Sequence, residues 1–508
     1  MRGQGRRRRR FPLFWRVVLG VVVALGVFVA VDFDWSGKGK RPPTETIEYD
    51  DHQWVVTRNE YLRARGLDIE DVPPEENAAL DYLIAGEMMP DFPSGEERKP
   101  ANTQERYVLQ YGWPADCKVL RRYLSEAQPA LARARIGLGK ERPRWLVGMD
   151  EDLLYNAELP GLGRMRTLSR AFVCTGWLAV SEGRDGEALE CFLAPIHLGN
   201  HVAHGPVVLY GLVGAGVNGM GFSALERWIL GEPSVKLLRE AHKQIRELEK
   251  GKPDYLHAVG TERAMCLDVV RFFGKYRIES LRELRAVSGP VFGRSRLVRG
   301  VVKRKLNAAY DRIEHWAVLE GRAKYGLLAS LPDEIRNDAE GDWHVGEFAY
   351  ILWSTFRYER KFALNDLRYA AVQVRIGLAL YKAEHGRYPE ALEEIEAYLG
   401  DVPLDPYTLE PLRYRLEGDE YVFYSVGPNL LDEGGKDRRQ DRTRLQSRFW
   451  GSGGSPARPI GLENEEMETD DLFFVSDVAE PPPFEEFMKH RGRRPEEGWS
   501  TERAVEGD

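Results

Sequence analysis

The sequence predicts a mainly α fold: an N-terminal transmembrane helix, an irregular helical domain, then a small α+β module in which a helix packs on a three-stranded antiparallel sheet. Three observations predict it. One apolar run near the N-terminus holds a single charge. Through the middle of the chain, apolar residues recur at three- and four-residue spacing. Near the C-terminus that helical period gives way to the alternation of strands.

Residues 1–10 carry six arginines and no acid, and from Phe11 to Val31 the only charged side chain is Arg16. A helix crosses the hydrocarbon core with roughly 20 apolar residues, and Arg16 lies near enough to the boundary for its guanidinium to reach headgroups. We read 1–10 as a cytoplasmic basic leader and 11–33 as an anchor held in membrane lipid. Flanking arginines keep the N-terminus inside and deliver the body to the periplasmic side, as a single-pass inner-membrane protein. A cleaved signal peptide is the competing reading, but it has a shorter apolar region and a small-residue cleavage site after it. The 508 residues carry 72 basic and 80 acidic side chains, a net charge of −8, and residues 1–16 contribute seven arginines and no acid. An acidic exported body has no electrostatic attraction to nucleic acid.

Residues 34–105 are rich in Pro, Glu, Asp and Gly and read as a linker, with Ala78–Ile84 as a docking helix. Residues 106–355 read as a helical domain. Within it, Leu168–Leu178 and Ala188–Ile196 flank Gly183-Arg184-Asp185-Gly186, giving a helical hairpin that resembles the join inside a tetratricopeptide repeat. No fixed period recurs, so an irregular stack of helix pairs is expected. Pro206–Ala224 is uncharged and apolar but holds five glycines and Asn218. It reads as a central core helix, with a second membrane span as the alternative.

From Leu364 to Ala383 the residues Leu367, Ala371, Val374, Leu378 and Tyr381 define one apolar helix face. Gly386 suits a left-handed cap, and Pro389 suits the first turn of a short helix burying Leu392, Ile395 and Leu399 before Gly400 stops it. Leu412–Leu416 and Tyr421–Val426 flank a Glu417-Gly418-Asp419 turn and form a hairpin, with Asp471–Val475 as the third strand. The order His385-Gly386-Arg387-Tyr388-Pro389, Pro403-Leu404-Asp405-Pro406, Tyr424-Ser425-Val426-Gly427 and Asp432-Glu433-Gly434-Gly435 resembles the C-terminal half of the major pseudopilins of type II secretion and their type IV pilin relatives. The resemblance covers about a fifth to a quarter of the chain. It implies a pseudopilin-like module at 356–476 and a place in the cell envelope. The chain lacks the family's processed N-terminal Gly and the Glu at the fifth position. Residues 477–508, Pro-rich and then alternating Glu and Arg, read as a disordered tail.

Two groups of residues are candidate metal ligands. His197, His201 and His204, at helical offsets of four and three, place imidazoles along one helix side, where a transition metal takes three such ligands. Asn429, Asp432, Glu433, Asp437 and Asp441 gather hard oxygens beside Gly434-Gly435, which suits calcium, and the resembling family binds calcium in a comparable loop. Gly214-Ala215-Gly216-Val217-Asn218-Gly219 has the spacing of a dinucleotide fingerprint, but between helices, without the strand that motif requires. Cys117, Cys174, Cys191 and Cys266 are too widely spaced for a disulfide scaffold, and buried thiols are expected, with Cys174–Cys191 the pair best placed to bond. No nucleophile elbow, Walker loop or zinc-ribbon spacing occurs. The expected function is therefore non-enzymatic: a membrane-anchored, exported structural or interaction protein with protein partners in the envelope, no nucleic acid and no identified small-molecule substrate. The alternative is an exported metal-dependent enzyme using His197, His201 and His204.

Overall fold

The computed structural model describes residues 41–150, 153–252, 254–271, 295–328, 330–340, 348–432, 434, 472–475 and 483–489. The basic leader, the anchor at 11–33, Glu433, Asp437, Asp441 and residues 490–508 lie outside the described residues. The chain enters through a tight antiparallel hairpin, β1 (Thr44–Tyr49) and β2 (His52–Thr57), paired from Thr44 opposite Thr57 to Tyr49 opposite His52. Its two turn residues, Asp50 and Asp51, both have positive φ (49° and 61°), the primed-turn geometry whose twist matches the strands.

The short α1 (Asn59–Arg63) leads to α2 (Ala78–Met88), α3 (Arg98–Tyr111) and α4 (Lys118–Leu138). Every residue from Ala78 to Gly86 is buried, so α2 is a central helix with no solvent face. Asn77 caps it by accepting from the Ala79 amide. It also exchanges hydrogen bonds with the Arg144 backbone, clamping the helix start to the 142–146 segment. Residues 41–105 are thus an integral part of the core, where a linker carrying one docking helix was expected. The composition of the flanks misleads, because Asp81, fully buried, is matched by Arg133 and Lys140 from α4 and the loop that follows it.

Helices α5 (Leu162–Ser181) and α6 (Asp185–Ala203) form the expected hairpin, turning at Gly183 with φ 74°. Next come α7 (Val208–Leu230) and α8 (Val235–Lys250). By length and composition α7 is apolar enough to cross a membrane, yet 67% of its most apolar window is buried within the protein, where it packs between α6 and the long helix described next. Small residues make that crossing: a Cβ on Gly214 would lie 2.5 Å from the Gly199 carbonyl oxygen. The amide of Asn218, buried at the same place, donates to Asn200 and Asn365.

A second core gathers α9 (Tyr255–Arg271), α10 (Arg296–Ala317), α11 (Gly321–Tyr325) and α12 (Leu331–Glu340) around Tyr310, Trp316 and Leu306. Both cores share α13 (Ala349–His385), a single helix of 37 residues. Tyr369, Val372, Ile376 and Leu380 belong to the first core, while Leu367, Ala371, Val374, Leu378 and Tyr381 belong to the second. The expected helix from Leu364 is the last half of α13. The expected boundary at 355/356 falls inside it, because two apolar faces, not one, hold it along its length.

Gly386 (φ 72°) ends α13 as expected, its amide bonding the Lys382 carbonyl. Leu392–Ile395 makes a 3-10 turn into α14 (Glu396–Leu399), stopped by Gly400 at φ 87°. Glu394 fixes this corner by accepting from the amides of Glu390 and Ala391 and from the Tyr381 hydroxyl. Strands β3 (Arg413–Glu417), β4 (Glu420–Ser425) and β5 (Leu472–Val475) pair antiparallel in the order β3-β4-β5, the last with Ser425 opposite Leu472. Tyr421 and Phe423 point from the central strand into the second core, and Arg375 of α13 reaches Tyr421 Oη at 3.3 Å. Residues 483–489, expected to be disordered, hold α15 (Phe484–Lys489), with Phe487 fully buried. All four cysteines are free and buried, and Cys174 and Cys191 are not bonded to each other.

Candidate functional site

Helix α6 contains Pro195, ends at Ala203, and is followed by Gly205-Pro206, which cannot continue it. The turns between carry His197, His201 and His204, and all three line a cavity of about 360 Å³. Its other walls come from Asp68–Glu70, Glu141–Trp145, the end of α8 at Glu247–Gly251, and His257 of α9. The floor is buried: His201 is 6% exposed and Trp145 2%, and Trp145 Nε1 donates to the His201 carbonyl at 2.7 Å. Acids and arginines form the rim, where Arg142 pairs with Glu70 and Arg144 with Glu45.

The His197 and His201 rings meet edge to face with centroids 4.4 Å apart. Nδ1 of His201 lies 2.7 Å from the Tyr82 hydroxyl of α2. That hydroxyl is held protonated, because burial and then the neighbouring Asp81 raise its pKa well above the usual phenol value. Nε2 of His204 is 3.3 Å from the Gly251 carbonyl, and Nε2 of His257 is 3.3 Å from the Gly205 carbonyl. A carbonyl only accepts, so in both rings Nε2 carries a proton; Nδ1 of His257 faces the Asp68 carboxylate at 3.9 Å. Between His197 and His201 on the same helix, Asn200 donates to the Leu248 carbonyl and to Tyr369 Oη, and its Oδ1 accepts from Asn218. The cavity wall is thereby tied to α7, α8 and α13.

Burial lowers the pKa of all three α6 histidines. For His201 burial pushes it well down and His197 and His204 add to the effect, while for His204 the Gly251 carbonyl partly opposes it. The rings are neutral. A depressed folded-state histidine stabilises the fold fully above the unfolded value of about 6.5, and that contribution is lost as pH falls. Every tenfold reduction in proton affinity is worth about 1.4 kcal/mol at the acid end. The urea midpoint is expected to drop between about pH 7.5 and pH 5, and His201→Asn to flatten that drop; equal slopes in the two proteins would refute the assignment.

Sequence spacing thus brought three residues of this cavity together. It missed His257, Asp68, Glu70 and Trp145, which no local pattern links to α6. Among the described residues, no group of three His, Cys, Asp or Glu side chains converges as placed to hold a metal. In the other candidate loop, Asn429 Oδ1 accepts from the Leu431 amide. The Asp432 carboxylate accepts from Tyr424 Oη (2.9 Å), Arg413 Nε (3.2 Å) and the Gly434 amide (3.0 Å). Burial opposes its ionisation, but the Gly434 amide, Tyr424 and Arg413 together keep its pKa low. Of the calcium candidates, Asn429 and Asp432 are therefore engaged with protein groups, while Glu433, Asp437 and Asp441 lie outside the described residues. The glycines at 214, 216 and 219 sit in the middle of α7 and not at a strand-to-helix turn, which removes the dinucleotide reading. Comparisons with protein-family models, with curated proteins and with solved structures find no match to this chain.

Proposed function

We propose that this chain is a single-pass, inner-membrane-anchored bacterial protein that presents a helical interaction body and a pseudopilin-like module on the periplasmic side. It acts as a structural or binding component of an envelope or secretion assembly. The observation that carries the reading is α13: one helix belongs to the helical body and also covers the C-terminal sheet, so the module is borne rigidly on the body, as a displayed docking unit needs. The basic leader and the apolar segment 11–33 support the address. Crosslinking in intact cells, with an enzymatic reporter fused after Asp508, tests both parts. Reporter activity on the outer side of the membrane and crosslinks to envelope proteins are expected. A reporter active only in the cytosol would sink the proposal.

The histidine cavity favours a second reading, an exported metal-dependent enzyme. The supporting observation is that His204, kept neutral by burial, has its Nε2 pinned by the Gly251 carbonyl and so offers Nδ1, the outer-shell arrangement that readies imidazole for a metal. Adding zinc to the urea titration decides it. This reading requires a zinc-dependent rise in the midpoint near pH 7.5 that vanishes near pH 5 and in His201→Asn. No rise at either pH removes it.

A further inference from the structure

The cavity at the end of α6 holds polar atoms whose protons are fixed by their neighbours. Tyr82 is fully buried, and among the described residues the one hydrogen-bond partner of its hydroxyl is Nδ1 of His201, at 2.7 Å. A buried O–H needs an acceptor, so the hydroxyl donates, Nδ1 accepts, and the neutral ring carries its proton on Nε2. No described residue accepts from that Nε2–H, and His201, only 6% exposed, lines the cavity. A donor at the floor is thus left for an occupant. His204 presents the opposite: its Nε2 gives its proton to the Gly251 carbonyl, and the neutral ring offers Nδ1 as an acceptor. Neither nitrogen of His197 is bonded to a described residue, so that ring can give one bond and take another.

These atoms sort the occupants by chemistry. A carboxylate or phosphate brings acceptors alone and leaves His204 Nδ1 unmatched. It also meets Asp68, Glu141 and Glu247, because the two arginines of the wall are committed, Arg142 to Glu70 and Glu76 and Arg144 to Glu45. An ammonium brings donors alone and leaves the His201 N–H unpaired, which is costly for a buried group. A metal ion at His201 has to displace the proton that Tyr82 fixes there. A hydroxyl both gives and takes. Water does the same, but Ile69, Pro143, Pro206 and Leu248 line the cavity too and offer water no side-chain partner. A ring with hydroxyl edges and C–H faces suits both kinds of wall, and about 360 Å³ lies at the small end of ligand sites, roughly 300–1,000 Å³.

We propose that this cavity binds a neutral polyhydroxylated ligand, a sugar ring or cyclic polyol, whose hydroxyls accept from His201 Nε2 and donate to His204 Nδ1, with Tyr82 as the positioning residue that sets the His201 tautomer. A free sugar and the end of a glycan chain offer the same chemistry. The inference rests on neither reading given above and is measured on purified protein, so it fails or stands apart from the membrane address and from any enzymatic activity.

The test is titration calorimetry of full-length protein in a detergent without a sugar headgroup. Glucose, galactose, mannose, N-acetylglucosamine, its linear trimer and myo-inositol are the separate probes. Saturable binding of at least one is expected. Tighter binding of the trimer than of its monomer would identify a glycan end as the source, and the reverse a free sugar. No saturable binding of any probe in the millimolar range overturns the proposal, as does tighter binding of acetate, phosphate or zinc than of every sugar. His201→Phe is expected to weaken binding about tenfold, the loss of one buried hydrogen bond. Should that variant fail to fold, His204→Ala, at the exposed mouth, provides the comparison; unchanged binding in a folded variant overturns the placement. Histidine nitrogen NMR should find the His201 proton on Nε2, and Tyr82→Phe should shift it towards Nδ1 while weakening binding. A proton on Nδ1 in the unsubstituted protein overturns the proposal.

Discussion

Asp81→Ala is expected to destabilise the fold by about 3–5 kcal/mol, the cost of leaving buried charge without its counter-charge. The carboxylate is fully buried in α2, with Arg133 Nη2 at 2.8 Å, Lys140 Nζ at 2.6 Å and Tyr49 Oη at 3.2 Å. Both cations are only 15% exposed, so neither recovers full hydration when the acid is removed. Arg133 retains Asp50, whereas Lys140 keeps only the Tyr49 hydroxyl and ring. Urea unfolding should therefore show the loss, and Lys140→Met in the same protein should restore part of it. A midpoint unmoved by Asp81→Ala would mean that residues 41–105 are not part of the cooperative core.

The second large effect is expected at the α6/α7 crossing. A Cβ on Gly199 would overlap Asn218 Oδ1 and come within 2.6 Å of the Gly214 carbonyl oxygen, which belongs to backbone and cannot swing aside. Gly199→Ala should cost about 3 kcal/mol, at the upper end of overpacking, since the clash also disturbs the Asn200–Asn218–Asn365 hydrogen bonds. Gly216, two residues beyond Gly214 on α7, has nothing within 4 Å of the corresponding position. Gly216→Ala should stabilise by up to about 1 kcal/mol through helix propensity. Thermal or urea unfolding of the pair checks both signs, and a tolerated Gly199→Ala would show that the two helices have room to part.

These glycines also mark how far the sequence can be read. The α5/α6 hairpin and the corner from Gly386 to Gly400 are legible because each rests on residues close in the chain: a left-handed glycine, a short apolar helix and an alternating hairpin. The third strand is harder, and Leu472–Val475 is reached from sequence only because the sheet needs another strand to complete it. The burial of α2 is not legible, since Asp81 breaks its apolar pattern and the compensating charges lie about 50 to 60 residues further on. The β1/β2 hairpin does have a local signal, since Asp50-Asp51 between Thr- and Val-bearing alternating segments marks a two-residue turn. His257 has no such signal, because only the folding of α9 against the end of α6 brings it to the cavity.

Helix α13 spans about 55 Å at the usual rise per residue. Tyr369, near its midpoint, holds the Asn200 amide one residue from His201, while Arg375, less than two turns on, grips Tyr421 of the sheet. Sheet and cavity thus hang on the same beam. A substitution that displaces this helix would therefore be felt at both ends, in the pairing of Tyr421 and in the placing of His201.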